Sequence, residues 1–164
     1  MVPTNLSLNP DGHGATSAHD DPFDLNRFVD AQSKCYSSAL AELRAGKKQT
    51  HWIWYVFPQL RGLGSSSRAS FYGIGSKQEA EAYLAHAVLG PRLRECVAAM
   101  NALDGPSAVQ VLGQVDAAKF RSCLTLFRFV DPGDVLFSEA LDKFFAGLPD
   151  EATLDLLNAS KHGT

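Results

Sequence analysis

Long apolar runs are missing from this chain of 164 residues. No stretch approaches the roughly 20 residues that a helix needs to cross a bilayer, so a membrane role is not expected. The first segment, MVPTNLSLNPDGHGATSAHDDP, has neither a basic start nor a continuous apolar stretch. It does not read as a secretory signal or an Arg-rich transit peptide, and the expected location is cytoplasmic. Cysteine is scarce: Cys35, Cys96 and Cys123 are odd in number and far apart, without a C-x-x-C pair or a histidine at zinc-finger spacing. Free, buried thiols are expected, and no metal ligands are assigned. Also absent are G-x-x-x-x-G-K-[ST], H-E-x-x-H, G-x-S-x-G and an EF-hand loop. The segment GIGSKQ, Gly73 to Gln78, only partly imitates a dinucleotide fingerprint and does not follow a convincing strand, so the cofactor stays unknown.

What is present is ordinary for a globular protein: 45% apolar and 20% charged residues. A domain of this length buries about two-thirds of its unfolded surface, enough for a core without disulfides or metal. The net charge of −3 is unevenly distributed. Between Arg44 and Arg94 eight basic residues face two acids, a balance of +6, and the remainder carries seven basic and sixteen acidic residues, a balance of −9. A cationic segment in an acidic chain suits an anionic small molecule, because clustered cations raise the local anion concentration. The acidic whole lacks the broad basic surface that a nucleic-acid backbone requires, so nucleic acid is not expected as a partner.

Residues 1–21 are rich in Pro, Gly, Asp, Ser and His and read as a flexible tail. From Asp24 onward Leu25, Phe28, Val29, Gln32, Tyr36, Ala39, Leu40 and Leu43 recur at helical spacing, predicting one helix that ends near Gly46. Thr50 is placed to cap a short helix from His51 to Phe57, stopped by Pro58, although a buried strand fits the same residues. PQLRGLGSSS then reads as a loop. Ser76 and Glu79 form an S-x-x-E capping box opening a helix to about Val88, and Pro91 starts the next, through Met100. Further helices are expected at Ser107–Leu112, Asp116–Phe129, Val135–Phe145 and Glu151–Leu157. The fold class is all-α: a single domain over residues 22–164 built of seven or eight short helices.

The candidate site centres on HWIWYVFPQLRGLGSSS. His51 and Glu79 are the candidates for proton transfer, each also having a structural reading, as a core histidine or a cap. Lys48, Arg61, Arg92 and Lys119 are the candidate anion holders. Trp52 or Tyr72 can stack a planar group, and Gln59, Ser66 and Ser122 supply amide and hydroxyl groups beside an apolar wall. Lys119, Ser122 and Thr125 share one helical face, which can form a second wall, although Thr125 can equally bond back to its own helix.

KKQTHWIWYVFPQLRGLGSSSRASFYGI, EAEAYLAHAVLGPRLREC and AAKFRSCLTLF together resemble the bacterial family called domain of unknown function 1810, from about Phe23 to Leu157. The order H-W-x-W-x-x-F-P-Q-L-x-G-L-G is specific. Phe120 and the pair Cys123-Leu124 stand where that pattern has Leu and Ser-Met. The resemblance implies a mainly helical fold and carries over no catalytic residue. A looser likeness, through E-A-x-x-Y-L, L-G and K-F, points to a helical family linked to ADP-ribose and riboside hydrolysis, and serves only to choose among anionic ligands. Two functions stay open: a binder or hydrolase of a nucleotide-like or other phosphorylated small molecule, and a non-catalytic helical adaptor with an unknown protein partner. Whether the protein is an enzyme is left undecided.

Overall fold

The computed structural model describes residues 20–163, with side chains through residue 159. Most of the expected tail, residues 1–19, therefore lies outside the described residues. Asp21 does not behave as tail: its carboxylate accepts from the Leu25 and Asn26 N–H groups at 2.7 and 2.9 Å, satisfying the open end of the first helix.

The described residues form ten helices, α1 Asn26–Ser33, α2 Tyr36–Ala45, α3 Ile53–Val56, α4 Ser67–Tyr72, α5 Lys77–Ala85, α6 Leu89–Asn101, α7 Ala108–Leu112, α8 Gln114–Val130, α9 Val135–Phe145 and α10 Glu151–Gly163. The all-α class holds, with two helices more than the eight segments expected. One extra helix comes from a break in the first: Cys35 leaves helical geometry at φ −136°, and its N–H turns back to Gln32 O. The other is α4, inside the expected loop, where Ser66 caps the helix by accepting from Ala69 N–H at 3.1 Å. No helix among the described residues is long and apolar enough to cross a membrane.

α8 is the axis. Phe120, Cys123, Leu124, Leu126 and Phe127 are all fully buried, and α3, α5, α7, α9 and α10 pack around it. α6 joins α2, α5 and α9 into a second layer. Aromatic rings tie the layers together: Phe57 meets Phe120 at 4.6 Å, and Tyr83 lies between Phe28 and Phe127 at 5.1 and 5.5 Å. Asp116 does not start α8, which begins at Gln114 after Gly113. Its carboxylate instead takes Lys48. All three cysteines are free thiols, and burial pushes Cys96 up to about 12 and Cys123 well above the ordinary range.

The stretch after α2 is fixed by one acid. Glu42 accepts from the Gln49 and Thr50 N–H groups at 2.8 and 3.0 Å, the Thr50 hydroxyl at 2.7 Å and the Trp52 indole at 2.9 Å. Partial burial pushes its pKa up, but these donors, Gln49 N–H foremost, outweigh that effect and bring it from 4.5 down to about 2. Between those two values the unfolded chain takes up a proton that the folded chain refuses. The stabilisation is therefore present above about 4.5 and fades as pH falls toward about 2. In thermal melts across this window the wild type loses more Tm than Glu42→Gln, which starts lower at neutral pH, and the two curves approach each other in acid. Curves that stay parallel would show that the ionised carboxylate adds nothing.

Beyond α3 the chain makes one isolated parallel bridge, Leu60 with Ile74, with Arg61 N–H on Ile74 O at 2.8 Å and Ile74 N–H on Gln59 O at 2.9 Å. It closes the loop that carries α4 and sets Arg61 beside the Gly73 to Gly75 turn.

Candidate functional site

The structure gives most of the expected site residues separate local bonds. Lys48 Nζ lies 2.9 Å from Asp116 Oδ2 and 5.1 Å from the Trp52 ring centre, and its side chain is almost wholly buried. Trp52 is a core residue whose indole is held by Glu42. Arg92 stacks on Tyr36 at 4.7 Å and donates to Gln32 Oε1 at 3.3 Å. Ser66 caps α4, and Ser122 donates to Ala118 O at 3.1 Å within its own helix. Thr125 likewise donates to Arg121 O at 2.8 Å and accepts from Asp150 N–H. Gln59 is partly buried and contributes its carbonyl to the bridge. His51 is exposed, its carbonyl accepting from the Tyr55 hydroxyl. Lys119 is partly buried and makes no ion pair or hydrogen bond with the described residues.

Arg61 and Glu79 do come together, around a residue that sequence reasoning missed, while Tyr72 lines a neighbouring cleft. Arg27, on α1, is only 8% exposed and spends all five of its N–H groups inside the protein. Nε donates to Phe71 O at 2.8 Å, Nη1 to Phe23 O and Asp24 O at 2.6 and 2.8 Å, and Nη2 to Gly73 O at 3.0 Å and Glu79 Oε2 at 2.6 Å. Glu79 Oε1 accepts from Gly75 N–H at 2.9 Å. The expected capping box is thus half present. Ser76 accepts from Glu79 N–H, while the Glu79 carboxylate turns to Arg27 and Gly75.

Arg61 lies above this staple. Its Nε donates to Ser70 O and its Nη2 to Gly73 O, both at 2.9 Å. That leaves three of its five N–H groups without a partner among the described residues. The close approach depends on missing side chains: a Cβ at Gly73 would stand 2.7 Å from Arg61 Cα, and one at Gly75 would stand 3.1 Å from Arg61 Nη1. A cleft of about 480 Å³ opens here between Phe23, Asp24, Arg27, Arg61, Ser70, Phe71 and Glu79. Phe71 is 54% exposed, edge-on to Tyr72 at 4.8 Å, and a second cleft, with Asp30 and Lys34, lies against Phe71 and Tyr72.

A guanidinium held by two carbonyls, a serine hydroxyl and an open aromatic ring can take an oxyanion joined to a planar or apolar group. Proton transfer finds less provision, since both Glu79 oxygens are engaged and His51 does not line the cleft. Among the described residues no group of His, Cys, Asp and Glu could hold a metal ion. Arg27 left no signal in the sequence because four of its five acceptors are backbone carbonyls, which no motif marks.

The sequence profile of the family described as "Protein of unknown function (DUF1810)" matches residues 22–157. Among solved structures, the chain is similar to the conserved hypothetical protein Rv1873 from Mycobacterium tuberculosis. The two share 49% identity over 84% of this chain and 99% of that one, with a TM-score of 0.83. No curated protein matches.

Proposed function

The chain belongs to the DUF1810 family, whose description names no activity, and from the cleft geometry we propose that the protein binds a small phosphorylated molecule at Arg61. The observation that carries this reading is the state of the Arg61 guanidinium. Two backbone carbonyls fix its plane and, among the described residues, three N–H groups remain for a ligand. A fork held in place loses little freedom on binding, and charge-assisted bonds to phosphate are roughly twice as strong as neutral ones. Phe71 supplies a face on which a nucleobase or other ring can stack. The reading is of binding rather than hydrolysis, because the carboxylate nearest the anion is already satisfied.

The test is a thermal-shift panel of nucleoside monophosphates, ADP-ribose, sugar phosphates and inorganic phosphate. A ligand at one hundred times its Kd raises stability by about 2.7 kcal/mol. The expected result is a shift for a ring-bearing phosphate that disappears in Arg61→Ala and shrinks in Phe71→Ala, each variant compared with its own unliganded melt. No shift across the panel would end this reading. The exposed Phe71 ring favours a second one, an adaptor that buries Phe71 against a protein partner. In that case Phe71→Ala abolishes partner binding while phosphorylated ligands have no effect.

A further inference from the structure

We infer that the protein carries a second ligand site, independent of the Arg61 cleft, which takes a small carboxylate with an apolar body at Arg128. A cleft of about 360 Å³ lies where the end of α8 meets α9 and α10, lined by Thr125, Arg128, Phe129, Pro132, Ser138 and Leu154. It shares no lining residue with the Arg61 cleft.

Arg128 is partly buried, yet it makes no hydrogen bond, ion pair or ring contact with the described residues. Its guanidinium therefore keeps its N–H groups for solvent or for a ligand. The acids nearest in sequence serve other groups: Asp131 and Asp134 both pair with Arg94, at 3.6 and 2.9 Å. Asp150, brought to Thr125 by its N–H, spends its carboxylate on the Thr153 N–H and hydroxyl at 2.9 and 2.6 Å. What favours the cation here is its position in the last turn of α8, where the carbonyl end of the helix attracts positive charge. That attraction uses none of the guanidinium N–H groups, so among the described residues the whole fork is available.

Ser138 is the second open group. It is partly buried in α9, and its hydroxyl has no partner among the described residues. Thr125, by contrast, is satisfied on both sides and acts as wall. The ligand class follows from the ratio of these parts. One fork and one hydroxyl match a planar carboxylate, bound bidentate by Arg128 with Ser138 donating to it. Phe129, Pro132 and Leu154 give the body of the ligand an apolar surround. The volume is near the lower end for ligand pockets, which limits the body to about one ring.

The test is isothermal titration of the full chain with phenylacetate, phenyl phosphate and inorganic phosphate. The expected result is that phenylacetate binds, that Arg128→Gln raises its Kd at least tenfold, that Arg128→Lys gives an intermediate value, and that Arg61→Ala leaves it unchanged. Unaltered circular dichroism and Tm in Arg128→Gln confirm that the loss is local. Absence of phenylacetate binding, or binding indifferent to Arg128→Gln, overturns the site. Phenyl phosphate binding more tightly than phenylacetate with the same Arg128 dependence overturns the carboxylate assignment. Failure of the Arg61 reading leaves this result untouched, because the two clefts are probed by different variants.

Discussion

Replacing Arg27 by methionine lowers the stability of the fold by about 3–5 kcal/mol, the cost of removing one partner from a buried ion pair and leaving the other uncompensated. The side chain is 8% exposed, and its removal strands Glu79 Oε2 together with the Phe71 carbonyl, whereas Gly73 O keeps its bond from Arg61 Nη2. The ion pair and the carbonyl bonds are separable. In Arg27→Met with Glu79→Gln the stranded charge is gone but the Phe71 carbonyl still lacks its donor, so the double variant recovers part of the loss and remains below wild type. Urea unfolding of the wild type, the two single variants and the double variant completes the cycle. Full recovery in the double variant would mean that the carbonyl bonds contribute nothing. A loss under about 1 kcal/mol for Arg27→Met would mean that water replaces the guanidinium.

Gly90→Ala produces the second large loss, about 3 kcal/mol, at the upper end of what overpacking costs. Gly90 lies in the first turn of α6, pressed against the end of α5. A Cβ there would stand 2.1 Å from Leu84 O and 3.0 Å from Leu84 C. Both are backbone atoms, so no rotamer change relieves the contact. The α5–α6 corner has to open, and with it the packing of Leu89 and Leu93, which are buried next to it. Gly133→Ala is the control: the nearest atom to a Cβ there is Asp131 Oδ1 at 3.9 Å, and the change stays within about 0.5 kcal/mol. Equal unfolding midpoints for the two variants would refute the steric account.

The helical class was legible because the apolar residues repeat at helical spacing through almost every segment, and Gly46, Ser76 and Ser107 marked their boundaries as expected. The break between α1 and α2 was not legible. Both halves keep apolar residues at the same spacing, while the bend is set by tertiary bonds, such as the buried Gln32 amide donating to Tyr55 O at 2.7 Å. α4 was hidden because six residues in a glycine- and serine-rich stretch show less than two turns of periodicity. At the site, the cationic segment did contain Arg61. It also contained Lys48, whose partner Asp116 lies in a distant part of the chain and is brought near only by the fold. Sequence charge counts cations without saying which are already neutralised, and that distinction separates Arg61 from Lys48.

The central position of α8 sets an order for synthesis. The rings of Phe57 and Tyr83 have their partners at Phe120 and Phe127, well over halfway along the chain. A ribosome adding about 5–20 residues per second leaves everything from α1 to α7 without its axis for several seconds. During that interval the aromatic stretch around Trp52 and Phe57 is solvent-facing nascent chain, the stage at which a chaperone that recognises apolar segments has something to hold. The contacts of Phe57 and Tyr83 with α8 close only once that helix clears the exit tunnel, so the full core is completed late in synthesis.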